Sequence, residues 1–412
     1  MDGIINWVAA LPWWPEFLPA NIVVFAIYAG VLALGLPPAA MTILTWLERK
    51  IVARIQDRIG PNRAGPFGLL QALADTIKML TKEDITPKGA DRIPYNLAPG
   101  LVAISALLVF AVIPVAPNLI GSDLNIGVFY IMAVGSFGIL GVLMAGWSSN
   151  NKYALLGAFR AVAQLVSYEI PMVLALITVV IVSGSMSTVD ITNSQSFANN
   201  NIWFIISMPL TFLIFFVAGI AETGRSPFDL LEAESEIIAG FHVEYTGLKF
   251  GLFMIGEYVH MFALAMMTAV LFMGGYRGPF LEAAVAASPI IGGILGFIYF
   301  TIKTFCFVFI MMWFRGTLPR FRIDHLLDFG WKFLVPLGLV NLIITAIIVK
   351  LFQQPGPDVI AGPLAGAGFL QPIFLLITNL ALIYGAMRVV RSVAQRSRNN
   401  PGLRALAAVD KA

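Results

Sequence analysis

The stretch KFGLFMIGEYVHMFALAMMTAVLFM, residues 249–273, decides the fold class of this chain. After Lys249 its ionisable side chains are Glu257, Tyr258 and His260, and nearly all the others are apolar. A helical run of about 20 apolar residues crosses the roughly 30 Å hydrocarbon core of a bilayer. Similar runs recur at 21–46, 97–116, 125–147, 159–182, 202–221, 288–314, 331–352 and 369–390. The sequence therefore predicts an all-α, polytopic membrane helix bundle with about nine transmembrane helices.

The composition agrees with a single integral membrane domain over residues 1–412. The chain is 58% hydrophobic and 12% charged, whereas soluble globular proteins are about 25% charged. Residues 1–20 are short, interrupted by proline and rich in tryptophan, which predicts an interfacial N-terminal segment. A lone cysteine, Cys306, excludes a disulfide framework and an iron–sulfur cluster held by this chain alone. The three scattered histidines predict no metal site.

Basic residues predict the orientation of the bundle. Lys and Arg gather in the segments after the first, third, fifth and seventh runs, at the run ends that border these segments or the tail, and in the tail at 391–412. The exceptions are Arg277, Lys303 and Lys350. Because cytoplasmic loops are enriched in Lys and Arg, we expect a multi-pass protein of the cell (plasma) membrane. Its N-terminus would lie outside and its C-terminus in the cytoplasm.

The first basic loop contains a predicted amphipathic helix. After the turn-rich GPNRAGP at 60–66, apolar residues recur at helical spacing, namely Phe67, Leu70, Leu73, Ile77 and Leu80. This pattern is typical of a helix that lies in the membrane interface. Two interpretations remain open: the helix covers the ends of neighbouring loops, or it forms a gate for an amphipathic molecule that enters from the membrane.

The stretch AETGRSPFDLLEAESEII, residues 221–238, gathers carboxylates in an otherwise apolar chain. Ser226 followed by Pro227 predicts a helix start, after which Asp229, Glu232 and Glu236 would share one face. A solvated cytoplasmic surface is one interpretation. The other is a set of crowded carboxylates, some of which hold protons near neutral pH.

Away from their ends, the apolar runs contain the ionisable residues Glu169, Glu257, His260 and Lys303. Glu48 and Glu222 lie at the predicted inner ends of the first and fifth runs. A charge at the bilayer centre costs about 3 kcal/mol or more, so each such residue is a candidate functional group with a partner. Local pairing that holds the bundle together, for example Glu257 with Lys303, is one hypothesis. A proton path is the other.

Four long motifs resemble one known family. They are ERKIVARIQDRIGPNRAGPFGLLQALADTIK (48–78), NNKYALLGAFRAVAQLVSYE (150–169), AETGRSPFDLLEAESEIIAGFHVEY (221–245) and FRGTLPRFRIDHLLDFGWKFLVPL (314–337). The family is that of the H subunit of bacterial NADH:quinone oxidoreductase, respiratory complex I, known in mitochondria as NADH dehydrogenase subunit 1. Membrane subunits of energy-converting hydrogenases share many of these features. One departure is Ser136, where some members carry a carboxylate.

The resemblance implies a membrane subunit of an oxidoreductase that translocates protons. Its bundle would dock the peripheral arm and form most of a tunnel for quinone, the substrate. The implied quinone-binding residues are Arg49, Gln56, Arg58, Phe67, Asp75 and Tyr258. The implied proton or charge relay is Glu48, Glu169, Glu222, Asp229, Glu232, Glu234, Glu236 and Glu257.

The resemblance also implies which cofactors and partners to expect. This chain would bind no cofactor and perform no cofactor-based catalysis alone, since flavin and iron–sulfur clusters would lie in partner subunits. Peripheral-arm iron–sulfur subunits, antiporter-like membrane subunits and membrane lipid would be its partners, and nucleic acid would not. Two alternatives remain: a hydrogenase-like complex without quinone, and a stand-alone ion transporter. The second is disfavoured because the chain shows no paired half-sequences.

Overall fold

The computed structural model describes residues 36–117, 119–196, 202–229, 240–352 and 370–399. Within these ranges the chain forms helices and no β-strand. The α-helices are α1 (Leu36–Ile55), α2 (Gln71–Thr81), α3 (Arg92–Leu108), α4 (Gly127–Ser148), α5 (Lys152–Ser183), α6 (Thr188–Ser194), α7 (Phe204–Ser207), α8 (Pro209–Glu222), α9 (Gly247–Met273), α10 (Leu281–Ala287), α11 (Pro289–Thr317), α12 (Ile323–Asp328), α13 (Val335–Phe352) and α14 (Leu370–Asn399). Short 3₁₀ turns lie at Pro66–Gly68, Val109–Val112 and Gly240–His242, and a π-helical segment at Phe329–Leu334 joins α12 to α13.

Seven helical segments of the described chain are long and apolar enough to cross a membrane. They lie at Arg92–Val112, Gly127–Ser148, Lys152–Ser183, Gly247–Met273, Ile290–Thr317, Ile323–Phe352 and Leu370–Ser392. The predicted all-α membrane bundle is therefore confirmed, and the protein is a multi-pass membrane protein. The first predicted run, 21–46, falls only partly within the described residues. Its helix α1 continues to Ile55, which places Glu48 and Arg49 within the helix.

The fifth predicted run, 202–221, is not one continuous helix. Its described residues form α7 and α8, which are separated at Met208 by a non-helical backbone (φ −131°, ψ 60°). Pro209 explains the break, because proline lacks an N–H group and its ring clashes with the preceding helical turn. At 14 residues, α8 is about 21 Å long. It is therefore shorter than the hydrocarbon core.

Helices α5 and α9 form the centre of the bundle. Helix α5 packs against α4, α8 and α13, whereas α9 packs against α3, α11 and α1. The most apolar section of α9 is 72% buried, compared with 11% for α14. Because α9 carries Glu257 and His260, and α5 carries Glu169, these ionisable side chains lie within the protein rather than against lipid.

The predicted amphipathic helix forms, but it begins at Gln71 rather than Phe67. Phe67 lies in the preceding 3₁₀ turn with a positive φ of 54°. Gly68 follows with φ 79°, and a Cβ atom there would lie 2.4 Å from the carbonyl oxygen of Pro61. The apolar side chains of the predicted face are exposed, at Phe67, Leu70, Leu73, Ile77 and Leu80. This chain therefore presents an uncovered apolar stripe at the edge of its bundle.

Candidate functional site

Arg225 and Glu48 form the buried centre of the candidate site. Arg225 Nη1 lies 3.1 Å from Glu48 Oε2, and only 4% of the Arg225 side chain is exposed. Arg225 Nε lies 3.0 Å from Glu257 Oε1. Arg315, near the end of α11, also donates to Glu48. Two carboxylates and two guanidinium groups thus share one site, which offsets the cost of burying each charge.

The Arg225 guanidinium also covers the ring of Tyr258, with its Cζ atom 4.3 Å from the ring centroid. Tyr258 follows Glu257 on α9, so one arginine contacts two consecutive residues of that helix. A planar guanidinium suits this arrangement, because it can bond carboxylates along its edge and stack an aromatic ring on its face. Through Arg225, Tyr258, one of the predicted quinone-binding residues, is joined to the carboxylates of Glu48 and Glu257.

A buried side chain of α5 holds residues 223–229, the described part of the segment after α8. Gln164 Nε2 on α5 donates to the carbonyl oxygens of Ala221 and Phe228, at 2.6 and 2.7 Å. Residues 226–228 form a turn and Asp229 is non-helical. The predicted helix start at Ser226 is therefore wrong, because Gln164 fixes the backbone in a turn that a local motif does not reveal. Glu232, Glu234 and Glu236 lie outside the described residues.

Asp229 contacts the loop that follows α11. Its Oδ2 atom accepts a hydrogen bond of 2.8 Å from Arg320 Nη2. In the same region, the Phe321 N–H donates to the Pro227 carbonyl at 3.1 Å. Asp229 is thus a predicted relay residue that contacts a cation from the loop after α11.

The backbone at Gly240, just after the acidic stretch at 221–238, is fixed by close packing. A Cβ atom on Gly157 of α5 would lie 2.6 Å from the Gly240 carbonyl carbon, so α5 and this backbone approach each other closely. Beyond it, Tyr245 stacks on Tyr95 with ring centroids 4.2 Å apart. Burial raises the pKa of Tyr245 to about 12, so its hydroxyl keeps its proton at neutral pH.

Glu169 and Ser136 form a hydrogen-bonded pair between α5 and α4. Ser136 Oγ donates to Glu169 Oε1 at 2.7 Å. Ser136 is the departure from the family pattern noted above, where some members carry a carboxylate. A hydroxyl nevertheless donates and accepts hydrogen bonds, so this serine extends the polar contacts of Glu169 toward α4.

Glu222 lies beside that pair and borders a cavity of about 90 Å³. A Cβ atom on Gly135, the neighbour of Ser136, would lie 3.6 Å from Glu222 Oε1. Glu222 Oε1 lies 3.8 Å from His260 Nε2 on α9. Its Oε2 atom is buried and finds no hydrogen-bond partner among the described residues. Polar residues of the cavity wall are Ser105, Glu222, Thr223, His242, Glu257 and His260.

The predicted quinone-binding residues lie at four places. Arg49 Nη1 pairs with Asp75 Oδ2 at 2.7 Å, which joins α1 to α2. Arg58 Nε donates to Gln56 Oε1 at 2.8 Å on the exposed loop after α1. Phe67, 75% exposed, begins the apolar stripe, and its carbonyl accepts a hydrogen bond from Trp46 Nε1. Tyr258 alone lies inside the bundle against Arg225.

Lys303 does not pair with Glu257, so the example offered for local pairing is wrong. Its Nζ atom donates to the carbonyl oxygens of Met273, Gly275 and Arg277, at the end of α9 and in the loop that follows. A lysine near a helix C-terminus satisfies carbonyls that lack an intrahelical partner. Lys303 therefore holds the end of α9, while Glu257 pairs with Arg225.

Comparisons with known proteins agree with the motifs. The family model described as NADH dehydrogenase matches residues 27–346. The chain belongs to this family. A relative from Dehalococcoides mccartyi (strain CBDB1), named as the H subunit of an NADH-quinone oxidoreductase, is 48% identical over 86% of this chain and 91% of its own. Proteins with the same designation from Geobacillus kaustophilus (45% identical; 84% and 99% covered) and from Geobacter metallireducens (48%; 75% and 91%) are also similar. The predicted resemblance is confirmed.

The four motifs that carry the resemblance to the NADH dehydrogenase family meet at one place. Glu48 comes from the first, Gln164 from the second, Arg225 from the third and Arg315 from the fourth. Residues far apart in sequence thus converge on the cytoplasmic ends predicted for their helices. Within the described residues, no group of three or more His, Cys, Asp or Glu side chains is placed to hold a metal ion.

The sequence alone does not identify several residues of the candidate site. Arg315, Arg320 and Gln164 lie in the quoted motifs, but an arginine in a predicted basic loop is usually a solvated residue. Their partners are 91 or more residues away for the two arginines, so only the fold shows the pairing. The signal that the sequence offers is the mixture of one arginine with many carboxylates at 221–238.

Proposed function

We propose that this chain is the membrane subunit of a proton-pumping NADH:quinone oxidoreductase, in which it lines the quinone path and couples quinone reduction to proton translocation. The observation that carries the proposal is the pairing of two polar sites. Glu257 borders the cavity together with Glu222, and it also shares Arg225 with Glu48. A change of charge at Glu48 or Tyr258 therefore acts on a residue that faces the cavity.

The two sites differ in a way that suits coupling. The cluster around Glu48 contains two guanidinium groups, whereas the residues that line the cavity include no Lys or Arg. A buried carboxylate without a cation changes its protonation more readily in response to its surroundings than one held in an ion pair. Quinone reduction consumes two electrons and two protons and yields a neutral quinol, so the charge near Tyr258 and Glu48 changes when groups there supply the protons. The cavity would register that alteration by exchanging a proton.

The apolar stripe of α2 supports a membrane entrance for the quinone. It is exposed beside α1, and the Arg49–Asp75 pair joins the two helices. A quinone combines a polar ring with a long apolar tail. Such a molecule matches a surface with an exposed apolar stripe beside an ion pair. Arg49, Asp75 and Phe67 would border this entrance. Gln56 and Arg58 would lie on the inner surface, where the peripheral arm docks.

The chain is one integral membrane domain in this proposal. The cluster at Glu48, Arg225 and Asp229 faces the cytoplasm, with the N-terminus outside and the C-terminal tail inside. The iron–sulfur subunits of the peripheral arm would cover this cluster, and antiporter-like subunits would receive the proton signal. The names of the relatives favour quinone over the alternative of a hydrogenase-like membrane subunit.

Glutamine substitutions test the proposal. Glu169→Gln and Glu222→Gln keep the size of each side chain and remove its titrating charge. In membrane vesicles that hold the whole complex, NADH:quinone activity and proton uptake should fall together, while NADH:ferricyanide activity, which reports an intact peripheral arm, stays normal. Glu83→Gln is the matched control, because Glu83 is exposed. Normal quinone activity and pumping in both variants would reject the coupling role.

A further inference from the structure

The proposed proton route has a gap between the carboxylates of Glu222 and Glu257, and His260 lies at that gap. Glu222 on α8 and Glu257 on α9 both line the cavity, and no hydrogen bond joins them in the described part of the chain. His260 lies three residues after Glu257 on α9, which places the two side chains on one helix face. Its Nε2 atom is 3.8 Å from Glu222 Oε1. The histidine therefore stands beside both carboxylates.

We propose that His260 is a proton-carrying station between Glu222 and Glu257, acting through the cavity that these three residues share. The inference rests on the function proposed above and assigns a further residue to it. The cavity, at about 90 Å³, has room for several water molecules. A separation of 3.8 Å is beyond a direct hydrogen bond, and a bridging water shortens such a step to two good hydrogen bonds. The buried Oε2 atom of Glu222, without a partner among the described residues, is an acceptor for that water.

Imidazole chemistry fits a two-sided transfer. The neutral ring accepts a proton at one nitrogen, leaving Glu222 as a carboxylate, and the imidazolium then releases the proton on its other nitrogen to the Glu257 carboxylate. No electrons move, one proton crosses, and the ring ends as the other neutral tautomer, which resets by rotation. Protonation of Glu257 weakens its ion pair with Arg225. The proton step is thereby linked to the cluster at Glu48.

The charged surroundings of His260 are set by several helices. Titratable groups come from Glu222 on α8, His242 on the 3₁₀ turn at Gly240–His242, and Glu257 on α9 itself. Glu169 on α5 is hydrogen-bonded to Ser136, whose neighbour Gly135 lines the cavity beside Glu222. No Lys or Arg occurs among the residues that line the cavity. Arg225 lies behind the cavity wall, 3.0 Å from Glu257 Oε1, so Glu222 is the cavity carboxylate left to balance a positive charge on His260.

The experiment compares His260→Gln with Glu222→Gln in the assembled complex. If His260 carries protons, NADH:quinone activity and proton uptake in His260→Gln should fall by about a hundredfold, the lower range for loss of a positioned proton-transfer group. The pH dependence of the remaining rate should also change, since one titrating group is gone. Rates are divided by NADH:ferricyanide activity. The matched control is His325→Asn, because His325 is exposed and should leave rates and pH profile unaltered.

The double variant and the possible outcomes separate the two proposals. If His260 and Glu222 act in one route, the double substitution should cost little more than the worse single one. A low rate in Glu222→Gln with a normal rate in His260→Gln rejects the histidine station and leaves the coupling role intact. Normal rates in both reject both. Should His260→Gln fail to assemble, His260→Asn is measured instead, and failure of that variant too would assign His260 a purely structural role and overturn the proposal.

Discussion

Arg225 holds Glu257 through its Nε atom, 3.0 Å from Glu257 Oε1, while its Nη1 atom serves Glu48. The two carboxylates come from α9 and α1, so the side chain of one loop residue joins two helices. Contact with two carboxylates along one edge requires the fixed geometry of a guanidinium. The arrangement makes Arg225 the residue on which the candidate site most depends.

Arg225→Lys should therefore disrupt the site although it keeps the charge. A single ammonium group cannot reach both carboxylates and cover Tyr258, and an unpaired buried carboxylate costs about 3–5 kcal/mol. We expect a clear loss of assembled complex on native gels, together with lost quinone activity in what remains. Arg320→Lys is the comparison, since Arg320 contacts Asp229 from a partly exposed position. Equal effects of the two substitutions would contradict the bridging role.

Gln164→Leu should loosen the start of the acidic segment. The substitution keeps the volume of the side chain but leaves the carbonyls of Ala221 and Phe228 without their buried donor. Each lost bond with a buried partner costs about 1–3 kcal/mol. Hydrogen–deuterium exchange should rise at 221–229, and quinone activity should fall.

Gln195→Leu provides the control for that experiment. Gln195 is equally buried and donates to the carbonyls of Val270 and Leu271, remote in sequence from the acidic segment. It should lower thermal stability to a similar extent and leave exchange at 221–229 unaltered. If exchange there rises in both variants, the effect is a general loss of stability rather than release of the turn.

The sequence predicts most of the helices, and which ionisable residues lie inside the bundle. It does not predict the contact partners of those residues. Hydropathy placed Glu169, Glu257 and His260 inside the bundle, because apolar length alone defines a membrane helix. It could not show that Lys303 caps the end of α9, since the rotation and depth of one helix against another depend on packing. The break at Pro209 was visible in the sequence as a proline, yet a long apolar run concealed it. The turn at Ser226 depends on Gln164, which lies far earlier in the chain on α5.

Lys303→Met and Glu257→Gln should act independently. Lys303 holds carbonyls beyond the C-terminus of α9, and Glu257 holds Arg225, so the two side chains belong to separate sites. For such sites, effects on the logarithm of activity add to within about 0.5 kcal/mol. The double-mutant cycle is measured as NADH:quinone activity and as the midpoint of thermal inactivation. A coupling well above that limit would revive the Glu257–Lys303 pair.

The apolar stripe of α2 yields the last prediction. If quinone enters along it, Leu73→Gln combined with Ile77→Gln should raise KM for a long-tailed quinone by about tenfold or more. Burying one such side chain contributes about 1.5–3 kcal/mol, and about 1.4 kcal/mol is a factor of ten. KM for a short-tailed, water-soluble quinone should change little, because that molecule does not need the stripe. Lys78→Gln is the control, because Lys78 is an exposed polar residue of the same helix. A photoreactive long-tailed quinone should label residues 67–77 in the unaltered complex and not in the double variant. Equal KM changes for both quinones, or labelling that survives the double substitution, would instead assign the stripe to lipid contact.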